Sequence, residues 1–229
     1  MGYQARFRRL ALSVLLLVVS YGIGIDRLLA AHSSISGPPR FAGVLLTSAA
    51  LFRFLVSGLF WLVSNIDFLL RLYWGPSQYL KGYWHYTSTR DGQKFVGVWR
   101  FSQDSYSVRV LAFGLDREYQ RRFTSHSVGP INEIRPGAGI YEVVNSRDDP
   151  AVVGGPIFSM TRFVPDAPVG NRWWSRKILT MRGETFTFGD KGTRHVNQNV
   201  VFTRHPDVRS DEDVVAALRA LSVFDTASG

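Results

Sequence analysis

The residues in this 229-residue chain best suited to chemistry are arginines set among aromatic side chains. Read as alternating strand residues, Arg121 falls between Tyr119 and Phe123. Arg162 shares a face with Phe158, Met160 and Val164, and Arg176 with Trp174 and Thr180. Thr203 shares one with Asn199 and Val201, and Tyr86 with Trp84 and Ser88. A guanidinium can grip a phosphate through two parallel hydrogen bonds, and an aromatic ring can stack on a base. The pattern therefore suits an anionic, ring-bearing ligand. The alternative for each arginine is a place in solvent or on the rim, because alternation does not reveal which face is buried.

Catalytic signatures are missing. The chain has no P-loop, no G-x-S-x-G, no H-E-x-x-H and no cysteine. His32, His85, His126, His195 and His205 are scattered without metal-ligand spacing. The expectation is a binding protein with no metal and no cofactor, not an enzyme. The net charge is +9. Residues 1–71 account for +5 of it, as seven arginines against Asp26 and Asp67. That part is a membrane-topology signal; the remaining +4 bears on a ligand.

The elements that must position these residues are strands. From Tyr79 onward short alternating runs are bounded by Gly, Pro, Asn and Asp. They predict strands over 82–88, 94–101, 105–113, 118–128, 140–145, 157–164, 173–181 and 196–204. Residues 184–188 either extend the seventh or pair separately. Eight strands on short connections close most economically as an antiparallel up-and-down β-barrel, lipocalin-like in form and able to hold one small ligand in its mouth. Within it Trp84, Tyr86 and Ser88, and likewise Phe95, Trp99 and Phe101, share faces. Ser210 and the acids after it open a short C-terminal helix with Val214, Val215, Leu218 and Leu221 as its apolar stripe. That helix packs against the barrel or plugs it.

The N-terminal third reads differently. Residues 10–31 and 41–70 form two apolar stretches separated by HSSISGPPR. Each reaches the roughly 20 residues needed to cross a bilayer. A cleaved signal peptide competes for the first, although a second span follows almost at once. Arg6, Arg8 and Arg9 before the pair and Arg71 and Lys81 after it place both termini in the cytoplasm. The expected organisation is a two-helix membrane anchor over 1–77 and a cytoplasmic all-β ligand-binding domain over 78–229. Arg53 falls inside the second stretch. Either the span begins near Phe54 and Arg53 snorkels, or Arg53 faces other protomers in an assembled bundle.

A hairpin of this kind running into Gly82-Tyr83-Trp84-His85-Tyr86, a G-x-W-x-Y strand, resembles the two-transmembrane β-barrel effectors of CBASS, the bacterial cyclic-oligonucleotide-based anti-phage signalling systems. The resemblance implies a barrel that binds a cyclic dinucleotide as its activating ligand, made by a partner nucleotidyltransferase. It further implies homo-oligomerisation and disruption of the bacterial inner membrane, with membrane lipids as a partner and no nucleic acid polymer. Tyr86 matches a ligand-facing tyrosine; Arg121, Arg162, Arg176 and Thr203 rest on alternation alone. The rival expectation is a membrane-tethered lipocalin-like carrier whose greasy chamber, lined by Trp84, Trp99 and Phe101, holds an apolar molecule. A structural adaptor with a filled barrel is a third.

Overall fold

The computed structural model describes residues 3–32, 38–90, 93–133, 139–148, 157–172, 175–188 and 194–224. The chain divides into two compact units, Met1–Tyr73 and Trp74–Gly229.

The first unit is helical: α1 (Tyr3–His32), α2 (Pro38–Asn65) and α3 (Asp67–Trp74). Two prolines open α2, where a missing N–H costs nothing. Among the described residues one helix, Phe41–Asn65, is long and apolar enough to cross a membrane. The apolar part of α1 is shorter, Arg9–Gly24. Leu12, Leu16, Leu17, Phe41, Leu46, Phe54 and Trp61 are exposed, so the unit presents apolar surface that protein does not cover. Gly22 of α1 lies against Ser48 of α2, where a β-carbon would collide with the serine hydroxyl. Arg53 is exposed at the middle of Phe41–Asn65, about 18 Å along the axis from either end.

Among the described residues the second unit holds nine strands: β1 (Gly82–Arg90), β2 (Gln93–Gln103), β3 (Val108–Leu115), β4 (Arg121–Ser127), β5 (Asn132–Glu133), β6 (Tyr141–Asp148), β7 (Ile157–Pro165), β8 (Thr180–Phe188) and β9 (Arg194–His205). Eight of them form a closed antiparallel barrel in the order β4-β3-β2-β1-β9-β8-β7-β6, with β4 pairing β6; the two-residue β5 pairs only β6. The up-and-down barrel expected from alternation is thus present. The seventh strand is not where alternation put it. Of the described residues there, 175–179 form no strand beyond a Val169–Lys177 bridge, and β8 starts at Thr180 and carries the 184–188 run. Trp174 lies outside the described residues.

Two apolar clusters flank the wall of the barrel. Inside, Trp84, Trp99, Phe101, Phe163, Met181 and Phe202 pack together with Leu80 and Ile178. Outside, Tyr83, Val96, Val98, Phe113 and Leu115 meet Val214, Leu218 and Val223. Val214 and Leu218 belong to α4 (Asp211–Ala220), which therefore covers the outer face of β1–β3 and does not plug the barrel. Ser210 caps α4 by accepting from the Asp213 N–H at 3.1 Å. Leu221, expected in its apolar stripe, is exposed.

Candidate ligand-binding site

Beside the packed cluster the barrel interior opens into a cavity of about 300 Å³, at the lower end of the size of small-molecule sites. One side is built by a single row of cross-strand neighbours, Phe202, Tyr86, Gly97, Gly114 and Phe123. A β-carbon on Gly97 would overlap the Tyr86 ring, and one on Gly114 would overlap Phe123. The two adjacent glycines let both rings lie flat on the wall, which leaves the volume in front of them open. Tyr86 also meets Trp99 and Phe202, with ring centroids 6.5 and 6.0 Å away.

The facing side is polar. Asn145, Ser159 and Thr187 form one cross-strand row, and Thr161, Thr185 and Asn197 form the next. All six line the cavity, and the Thr161 and Thr185 hydroxyls lie 3.0 Å apart. Asn197 reaches the interior through an irregularity. The register of β8 and β9 shifts between Gly183 and Thr185, and Asn199 takes a left-handed backbone at φ 59°. Arg147 also lines the cavity, its guanidinium 3.6 Å over the Phe123 ring. Burial pushes the Tyr86 hydroxyl up to about 12, against the opposing pull of the Arg147 charge. Tyr86 is therefore a neutral hydrogen-bonding group at any physiological pH. A cationic fork, stacking faces and a belt of hydroxyls and amides converge on one volume.

Of the residues the sequence singled out, Tyr86 lines this cavity and four others lie outside it. Arg121 is on the outer face, where it donates to Asp211 of α4 at 2.7 Å and lies 4.3 Å over Phe113. The physical reason is a bulge. Gly114 pairs Phe123 and Leu115 pairs Arg121, so Arg122 is an extra residue that turns Arg121 and Phe123 to opposite faces. Arg122 lines the cavity instead. Arg162 points outward, because its strand neighbours Thr161 and Phe163 are the buried ones, and it donates to Glu142 at 2.8 Å. Arg176 is exposed in the irregular segment before β8, with its Nε 3.4 Å from the Gly170 carbonyl. Thr203 alternates with the buried Phe202 and pairs His85, so it faces out. Trp84 and Phe101 belong to the packed cluster and not to a chamber.

Arg147, Asn145 and Asn197 were missed. Continuing the alternation Tyr141, Val143, Asn145 by one step reaches Arg147, but the predicted strand stopped at Asn145.

A further polar pair lies on the outer wall. The His85 Nδ1 and His205 Nε2 are 2.7 Å apart, and His85 is 9% exposed. Burial, then the charges of His205 and Lys94, bring His85 down to about 4. Burial also lowers His205. Among the described residues no three His, Asp or Glu side chains come together as a metal site. The chain matches no protein-family model and no curated protein.

Proposed function

We propose that this chain is a membrane-anchored receptor and effector whose barrel binds a cyclic dinucleotide. The observation that carries the reading is the cavity itself. Arg147 supplies a phosphate fork, Tyr86, Trp99 and Phe123 supply ring faces, and six hydroxyl or amide side chains supply hydrogen bonds. A carrier of apolar molecules needs none of those six. Arg122, exposed and also lining the cavity, adds a second cation for the ligand's phosphates. The architectural resemblance to two-transmembrane CBASS effectors points the same way and supplies the consequence. In that reading α1 and α2 form a hairpin in the bacterial inner membrane, with the barrel in the cytoplasm. Ligand favours an assembled state by its differential affinity, and the assembled helices disrupt the membrane. Arg53, at mid-span, then faces protein or water in the assembly, since a lipid-facing charge there costs about 2.5–3.5 kcal/mol.

The test is titration calorimetry of the full-length chain in detergent against cyclic di-AMP, cyclic di-GMP and cyclic AMP-GMP. At least one should bind at micromolar affinity or better, about −8 kcal/mol. Arg147→Gln, and Gly97→Ala, which drives the Tyr86 ring into the cavity, should each weaken that binding about tenfold or more. No heat with any of the three, together with co-purifying lipid, would favour the apolar carrier instead.

A further inference from the structure

The polar wall contains two carboxamides that the fold does not use. Asn145 is 3% exposed, and its Oδ1 has no hydrogen-bond partner among the described residues; the same is true of the buried Oδ1 of Asn197. Both side chains line the cavity, on neighbouring cross-strand rows. On the same wall Thr161 and Thr185 do find each other, with hydroxyls 3.0 Å apart. A buried acceptor left unmatched is costly, and native structures rarely keep one without a use. At Asn197 the chain also accepts a left-handed, non-glycine backbone two residues later, at the register shift that turns this amide inward.

We infer that Asn145 and Asn197 are the specificity residues of the cavity, and that their Oδ1 atoms accept hydrogen bonds from the exocyclic amino groups of purine bases. Amides are suited to this task, since Asn pairs an amino group and a ring nitrogen of adenine through two hydrogen bonds. The other groups of the site discriminate less. Ring faces stack on any base, and Arg147 as a phosphate fork sees a feature common to every cyclic dinucleotide. Discrimination among bases therefore falls to the amides. A site that expects a donor rejects a ligand lacking it more strongly than it rewards the correct one, because its acceptors then stay unmatched.

This inference rests on the cyclic-dinucleotide reading, and the experiment separates the two. Cyclic di-AMP, cyclic di-GMP and cyclic di-IMP are titrated into the full-length chain in detergent; hypoxanthine has the purine frame without an exocyclic amine. At least one amino-bearing ligand should bind wild type tenfold or more tightly than cyclic di-IMP. Asn145→Leu and Asn197→Leu should each lower the affinity for that ligand about tenfold and leave cyclic di-IMP nearly unchanged. Equal binding of cyclic di-IMP, or an equal loss for all ligands in both variants, would overturn the inference and spare the broader reading. No binding by any of the three would overturn both. Thermal melting gives a readout without ligand. Asn145→Leu should melt at or above wild type, and a fall of several degrees would show that the amide serves the fold.

Discussion

Arg204 and Arg147 both lie on the inner side of the barrel wall, and their surroundings divide its interior into unlike halves. Arg204, 9% exposed, sits in the packed half. It donates to the main-chain carbonyls of Tyr79, Lys81 and Ile178 and lies 5.3 Å from the Trp84 and Tyr79 ring centroids. Arg147 sits in the open half, laid over Phe123 at the edge of the cavity. The first guanidinium stitches three chain segments together where large rings fill the space. The second is displayed among short polar side chains that leave space unfilled. One residue type is thus packed among large rings in one half and lines an open cavity in the other, and what differs is the size of its neighbours.

The sharpest way to test that division is truncation in each half. Trp84 is fully buried and its indole N–H donates to the Leu80 carbonyl at 2.8 Å. Trp84→Ala should cost about 3–5 kcal/mol in denaturant unfolding of the full-length chain. Phe95 is half-buried on the wall of an existing cavity, and Phe95→Ala should cost only about 1 kcal/mol, since little new void forms. Equal costs would mean that the open half is as tightly filled as the other.

A smaller effect comes from outside the wall. In the cavity Tyr86 stays neutral, whereas on the opposite face of the same strand His85 resists protonation down to about 4. Its folded value lies below the ordinary 6.5, so its contribution is complete above about pH 6.5 and is lost as the pH falls toward 4. The loss should reach about 3 kcal/mol at most, read as a drop in the unfolding midpoint between pH 7.5 and 4.5. His85→Phe should flatten that profile; an unchanged slope would place the acid sensitivity elsewhere. Smallest of all, Arg121→Gln breaks a partly exposed ion pair with Asp211. It should cost no more than about 1 kcal/mol and leave dinucleotide affinity unaltered. A tenfold loss of affinity would return Arg121 to the site.

The strands were legible because alternation and turn residues are local properties, and so were the Ser210 cap and the buried Val214 and Leu218. Bulges were not. Adding one residue at Arg122, and turning the backbone at Asn199, reverses which side chains face in, and neither of those two residues is a glycine; Gly114 and Gly183 mark the shifts only from the opposing strands. Arginine faces were misassigned for the same reason, and also because Arg162 has Glu142 and Arg121 has Asp211 across gaps in sequence that no spacing rule spans. A helix long and apolar enough to cross a membrane was legible from length at Phe41–Asn65, while the Gly97–Gly114 pairing that opens the cavity exists only once β2 and β3 are in register.

The β4–β6 pairing has one more effect. Among the described residues each of the eight long strands has a hydrogen-bonded neighbour on both sides, so none of those eight offers an incoming peptide an open edge for backbone addition. Copies of this barrel crowded together therefore meet without a long open strand edge to join them.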